Sequence, residues 1–258
     1  MSSKTASRAT PAAFSALAAS DVIVADYRRY LQSLVEPRLK PYRDSLFEQI
    51  KNDRDLAKGP ILEATPPFEF GSSIEDLIAD GTLAPAFREL DCEALPVKRA
   101  LYQHQEDATR KAVAGRNVVV ATGTGSGKTE SFLIPVLNHH LVERAAGTLG
   151  PGVRALFLYP MNALANDQMK RLRKVLAGFP DITFGRYTGE TPEKYDDAKT
   201  KFSERNPGEP MLANELISRE QMRETPPNIL LTNYAMLEYL LIRPKDMDLF
   251  EGDSAGVW

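Results

Sequence analysis

Apolar positions recur at two different periods along this chain, and the change between them divides it. Up to about Val97 they fall at helical spacing and are interrupted by proline; from Ala100 on, short unbroken apolar runs alternate with helical stretches. The first pattern predicts helices over Asp21–Val35 and, after Pro37 and Pro41, over Tyr42–Ala57. Pro66-Pro67 forbids helix and predicts an extended stretch over Pro60–Phe70. Ser72 with Glu75 reads as a capping box for a short helix Ile74–Ala79, with Gly81 just past its end.

The second pattern predicts a helix Tyr102–Ala114 stopped by Gly115, a strand Asn117–Thr122, a helix Lys128–Ala145 and a strand Val153–Tyr159. A helix Asn162–Leu176 before Gly178, a strand Ile182–Tyr187, a strand Asn228–Thr232 and a helix Tyr234–Ile242 ended by Pro244 follow. Apolar, non-alternating strands separated by helices imply a parallel sheet covered on both faces, hence an α/β fold. The polar, proline-interrupted stretch 191–227 is long for a βα connection, and helices near Tyr195–Ser203 and Asn214–Arg223 mark it as an insertion. The expected division is a disordered N-terminus over 1–13, a helical accessory region over 14–97 and an α/β domain over 98–258.

Composition adds mainly exclusions. At 258 residues, 43% apolar and 26% charged, the chain has the make-up of an ordinary globular protein. A net charge of −3 gives no global attraction to polyanions, so nucleic-acid contact needs a local basic face. One cysteine, Cys92, excludes an internal disulfide and an all-cysteine zinc site, and fits a reducing compartment. No apolar run approaches a membrane span and no secretory signal opens the chain, so a cytoplasmic protein without membrane partners is expected.

The chemistry concentrates in Ala121-Thr122-Gly123-Thr124-Gly125-Ser126-Gly127-Lys128-Thr129-Glu130, between a predicted strand and a predicted helix. Glycines there let backbone N–H groups converge on an anion at a helix N-terminus. Lys128 would reach the terminal phosphates of a nucleoside triphosphate, and the Thr129 hydroxyl would ligate Mg²⁺. One departure is Thr122, which stands six positions before the lysine where the strict pattern has glycine. Gln105, 23 residues before Lys128, carries an amide that can pair bidentately with adenine. Tyr159–Gln168 and Leu230–Ala235 begin or end at the carboxyl edge of predicted strands, where open α/β sheets bind ligands. Lys170, Arg171, Arg173 and Lys174 form a basic cluster that would either extend a phosphate track or simply face solvent. His104 reads as a packing or capping residue, Tyr102 as core rather than an adenine-stacking ring, and His139-His140 lack ligands at metal spacing.

Taken together these residues resemble the first motor domain of superfamily 2 DExD/H-box helicases. Gln105 matches that family's Q motif, and Ala121–Glu130 its ATP-binding motif. Tyr159–Gln168, Tyr187-Thr188-Gly189-Glu190 and Thr232-Asn233-Tyr234 match its nucleic-acid-gripping segments. The wording of residues 232–244 looks most like large bacterial helicases of DNA-repair and phage-defence type whose distant C-termini carry a cysteine cluster. The resemblance implies a P-loop NTPase with a RecA-like sheet, ATP and Mg²⁺ as cofactors, and nucleic acid as partner, DNA before RNA. It places ATP contacts at Gln105, Thr122, Gly123, Thr124, Gly125, Ser126, Gly127, Lys128, Thr129 and Glu130, with Lys128 and Thr129 catalytic. Nucleic-acid contacts would come from Pro160, Asn162, Asp167, Gln168, Thr188, Gly189, Thr232 and Asn233.

The same resemblance calls for an Asp-Glu box and a second motor domain, and the chain contains no Asp-Glu pair. The expectation is therefore an incomplete sheet, weak stability and weak ATP binding, in a piece of a larger ATP-hydrolysing motor moving 3′ to 5′. Two other readings stay open: a non-catalytic truncated motor whose N-terminal helices dock a protein partner, and a kinase built on the same loop.

Overall fold

The computed structural model describes residues 15–61 and 67–250. The expected disordered segment 1–13, residues 62–66 of the expected extended stretch and the C-terminal run 251–258 lie outside them. The chain divides into two compact units at Pro66/Pro67.

The first unit is a pair of helices, α1 (Ala16–Leu34) and α2 (Lys40–Asn52). Ser15 caps α1, accepting from the Ala18 amide at 3.3 Å, and the Arg28 guanidinium donates to the Asp53 carbonyl at 3.2 Å. Pro41 occupies the first turn of α2, where its missing N–H costs no helical bond. Neither helix buries a residue fully, and Leu17, Ile23, Tyr30 and Tyr42 stay exposed.

The second unit opens with β1 (Phe70–Ser73) and α3 (Ile74–Ala79), then a 3₁₀ turn over Pro85–Leu90. Next come β2 (Ala100–Tyr102), α4 (Gln103–Val113), α5 (Lys128–Ala146), β3 (Ala155–Tyr159) and α6 (Asn162–Leu176). They are followed by β4 (Phe184–Arg186), α7 (Tyr195–Arg205), β5 (Glu215–Leu216), α8 (Arg219–Glu224), β6 (Ile229–Asn233) and α9 (Tyr234–Ile242). A last 3₁₀ turn covers Pro244–Leu249. Among the described residues no helix is long and apolar enough to cross a membrane.

The sheet has strand order β3-β6-β4-β5, all parallel, with Ala155 opposite Ile229 and Phe184 opposite Ile229 on the other side. This is the α/β fold with a parallel sheet and flanking helices that the pattern predicts, and the RecA-like sheet that the family resemblance implies. β6 is central, and Ile229, Leu230, Leu231 and Thr232 are all fully buried, which is why its run does not alternate. Its side chains serve two cores. Ile229 and Leu231 join Leu133, Leu137 and Leu141 of α5, Phe157, and Met169, Leu172 and Leu176 of α6. Leu230 faces Tyr187, Leu216, Met222, Met236 and Leu240 on the opposite face.

Several sequence expectations need correction. Asn117–Thr122 forms no strand: it finds no ladder partner among the described residues, and Val119 is 94% exposed. A groove of about 700 Å³ separates Val118 and Val120 from α5 and the β3 edge at Ala155. The capping box falls one residue later than expected, at Ser73 and Asp76, each accepting from the other's backbone amide. Asn214–Arg223 is not one helix but β5 followed by α8, because Ser218 caps α8 and Asn214 anchors the chain ahead of it. That anchor is the Asn214 amide, which donates to the Leu176, Phe179 and Ile182 carbonyls at 2.8–3.0 Å. Residues 70–73 and 100–102 pair as an antiparallel ribbon that the pattern did not predict.

Candidate nucleotide loop and strand-end edge

The loop over 121–127 enters α5 through two left-handed glycines, Gly125 at φ 77° and Gly127 at φ 68°. Side chains rarely adopt that conformation, so these positions explain the glycine spacing. α4 holds the loop from the side. His104 Nε2 lies 2.9 Å from the Ser126 carbonyl, and Gln105 Nε2 donates to the Gly127 carbonyl at 2.7 Å. Gln105 is buried, and its Oε1 accepts from the Tyr102 amide at 2.8 Å. The hydroxyls of Thr122 and Ser126 meet at 2.6 Å across the loop. Thr122 thus takes part in the turn in the position where the strict pattern has glycine.

Lys128 folds back over the loop, its Nζ donating to the Gly123 carbonyl at 2.6 Å with Ser126 Oγ at 3.5 Å. A β-carbon built on Gly123 or Gly125 would meet nothing within 4 Å. Thr124 is exposed and Thr129 half-buried in the first turn of α5. Glu130 is buried, and its Oε1 accepts from Arg99 at 3.0 Å and Arg171 at 2.9 Å. Burial would raise the Glu130 pKa, but the Arg171 guanidinium, helped by Arg99, outweighs it and holds the carboxyl below its usual range. Among the described residues no group of three or more His, Cys, Asp or Glu could hold a metal ion.

Beside this loop, Tyr102 and His104 stack with ring centroids 5.7 Å apart, and Phe68 packs on both at 5.3 and 5.6 Å. Sequence reading missed Phe68 and the His104 contact, since both depend on partners more than 20 residues away. Tyr102 is half-buried and packs on Phe68, Phe70 and His104.

The parallel register carries Tyr159, Arg186 and Asn233 to one edge, the carboxyl ends of β3, β4 and β6. There Asn233 Nδ2 donates to Asn162 Oδ1 at 3.1 Å and Asn162 Nδ2 donates to Glu190 Oε1 at 3.2 Å. The Asn162 amide and the Arg205 guanidinium hold Glu190 below the usual carboxylate range. Pro160 and Gly189 are exposed at the same edge. Thr188 and Thr232 are buried; the Thr232 hydroxyl donates to the Tyr187 carbonyl at 2.6 Å, and the Thr188 amide donates to Thr191 Oγ1 at 3.0 Å. Asp167 and Gln168 lie farther along α6, outside this network. Of the basic cluster on α6, Arg171 is engaged by Glu130 and Arg173 by Glu215, which leaves Lys170 and Lys174 exposed and without a carboxylate at ion-pair distance among the described residues.

The family model for DEAD/DEAH box helicases matches residues 102–247. Druantia protein DruE of Escherichia coli is 28% identical over 87% of this chain and 17% of its own length. The ATP-dependent helicase hrq1 of Schizosaccharomyces pombe is 34% identical over 35% of the chain and 8% of its own length. Among solved structures, DUF1998 helicase MrfA bound to DNA aligns over 72% of the chain and 21% of its own, at 23% identity and a TM-score of 0.49. The chain thus spans less than a quarter of the length of each of these relatives. The narrower kinship with helicases carrying a cysteine cluster is corrected. The match is to the DEAD/DEAH box model as a whole, and the chain holds one cysteine, Cys92.

Proposed function

Because the chain belongs to the DEAD/DEAH box helicase family, we propose that it supplies the ATP-binding face of a cytoplasmic motor that translocates along or unwinds nucleic acid, DNA before RNA. One observation carries the reading. Lys128 Nζ lies 2.6 Å from the Gly123 carbonyl, over a turn that enters α5 through the left-handed glycines Gly125 and Gly127. A lysine ammonium beside a glycine turn at a helix N-terminus is an arrangement suited to a phosphate chain. The loop residues fit ATP, and the Lys128–Gly123 contact is the one that phosphates would replace.

Thr129 would offer its hydroxyl to Mg²⁺, and the ion would supply neutralisation of the charge on the phosphates. Thr122, Gly123, Thr124, Gly125, Ser126 and Gly127 would bind the phosphates through the backbone. Glu130, fixed by two arginines, holds the first turn of α5 in place. On the strand-end edge, Pro160, Asn162, Gly189 and Asn233 are the accessible members of the proposed nucleic-acid set. Thr188 and Thr232 would act by fixing strand ends, and Asp167 and Gln168 would be reached only by a strand lying along α6.

The test is binding of a fluorescent ATP analogue to the protein and to Lys128→Ala, followed by ATP turnover with single-stranded DNA or RNA of equal length. Binding that falls at least tenfold in the variant supports the reading, and polymer-stimulated turnover identifies the substrate. A protein that binds no nucleotide, or binds it equally without Lys128, refutes it.

A further inference from the structure

A second cavity, of about 490 Å³, lies between α6 and the insertion helix α7, beyond the carboxyl ends of β4 and β5. Five cations line it, Lys170, Arg173, Arg186, Lys201 and Arg205, against two carboxylates, Glu190 and Glu215. The carboxylates are already engaged. Glu215 takes a two-pronged contact from Arg173, at 2.7 Å from Nε and 2.8 Å from Nη2. Glu190 accepts from Arg205 at 3.0 Å and from Asn162 at 3.2 Å.

Lys170, Lys201, Arg186 and Arg205 share one lining carboxylate, Glu190, and among the described residues neither lysine has a carboxylate within ion-pair distance. Lys201 Nζ donates to a neutral group, the Glu190 carbonyl, at 2.6 Å. Arg186, whose side chain is 14% exposed, bonds the neutral Asn166 amide oxygen and reaches Glu190 only at 3.7 Å. Among the described residues Lys170 has no carboxylate within ion-pair distance. Burial pushes the Arg186 pKa down, and the positive charges of Arg205 and Arg173 push it further, despite Glu190. Met169, Phe202 and Leu216 also line the cavity. Guanidinium forks and ammonium groups converging on one space match a group with several equivalent oxygens better than a single carboxylate.

We propose that this cavity seats a phosphate ester, through Lys170, Lys201, Arg186 and Arg205. Two sources share that chemistry: a phosphodiester of a nucleic-acid strand crossing the strand-end edge, or the phosphate of a free nucleotide. The strand source rests on the motor reading; the cavity itself does not.

The experiment compares the protein with Lys170→Gln/Lys201→Gln, which removes two charges and keeps side-chain length, and with Lys174→Gln, an exposed lysine of α6 outside the cavity. Circular dichroism checks that each is folded. One arm titrates a labelled 12-nucleotide oligothymidylate at several salt concentrations; the other follows thymidine monophosphate by phosphorus NMR. If a strand supplies the phosphate, the double variant binds the oligonucleotide on the order of tenfold more weakly, and its log-log salt slope falls by about 0.7 for each phosphate no longer neutralised. Lys174→Gln does neither. If a free nucleotide supplies it, thymidine monophosphate binding disappears in the double variant while oligonucleotide binding stays. Equal binding of both probes by the protein and the double variant, or binding of neither by the protein, overturns the proposal. Loss of the motor reading shows separately, as a protein that binds thymidine monophosphate here but no oligonucleotide at all.

Discussion

Replacing Gly127 by alanine tests the loop geometry most sharply. Gly127 has φ 68°, and a β-carbon there would lie 2.5 Å from Gln105 Nε2 and 3.2 Å from Glu130 Oε2. Two costs follow. A side chain in the left-handed region costs about 1–2 kcal/mol. Displacing the Gln105 amide breaks its 2.7 Å bond to the Gly127 carbonyl, and a buried polar group left unpaired costs about 1–3 kcal/mol. Gly127→Ala should therefore destabilise the protein by about 2–5 kcal/mol, and by less where the loop relaxes.

Two neighbouring glycines separate the two costs. Gly125 has φ 77° but open space around its β-position, so Gly125→Ala carries only the backbone cost, about 1–2 kcal/mol. Gly123 has neither a left-handed φ nor a neighbour within 4 Å, so Gly123→Ala should stay within about 0.5 kcal/mol. Urea unfolding followed by circular dichroism gives the three values, and nucleotide titration of the same variants shows whether binding falls in the same order. Unfolding of Gly127→Ala at the same midpoint as Gly123→Ala, or a Gly125→Ala variant that is the least stable of the three, would refute this account.

Glu130, held below its usual range by Arg171 and Arg99 despite burial, adds stability that is complete above its unfolded pKa of about 4.3 and is lost as pH falls through the lower folded value. The stability gap between the protein and Glu130→Gln should therefore shrink on acidification below about pH 5; a gap that widens would show the wrong sign. Burial pushes the His140 pKa down, although its ring nitrogens face the Val136 and Asn228 carbonyls at 2.7 and 3.4 Å. A folded pKa below the unfolded value of about 6.5 makes the protein lose stability as pH falls from about 7.5 to 5.5. His140→Phe should lack that slope in chemical denaturation. Asn214→Ala leaves three carbonyls without their shared donor and should cost about 1–3 kcal/mol. Amide exchange should then rise first around residues 176–182, and uniform exchange would contradict the anchor role.

The elements that the sequence disclosed are those whose pattern is local and whose burial is complete. Residues 162–176 and 234–242 form the expected helices with the expected ends. The β6 run is unbroken because both of its faces are covered. Asn117–Thr122 reads like a strand for the same compositional reason, yet a strand exists only against a neighbour, and neighbours are not written in so short a window. The ribbon of β1 and β2 escaped notice because three or four residues carry too little periodicity to stand out. Around Asn214 and Glu215 the error had a different cause. Their polar side chains suggest an exposed helix, but both are buried, Asn214 by three carbonyls and Glu215 by Arg173. Only distant partners make that burial tolerable.

The same distinction orders the site. The loop was legible because glycine spacing encodes backbone geometry directly, whereas its support by α4 was not, because it joins side chains to carbonyls 22 residues away. That support bears on how Gln105 can serve a nucleotide. Each end of its amide makes one bond to the chain, Oε1 to the Tyr102 amide and Nε2 to the Gly127 carbonyl. A primary amide has two hydrogens and two acceptor lone pairs, so one of each is left. One donor and one acceptor side by side are what an adenine edge requires. Gln105 is buried, and bracing the loop is the task that its two bonds show. Glutamate would lose the Nε2 donor and asparagine is one methylene shorter, so the brace alone accounts for the residue type.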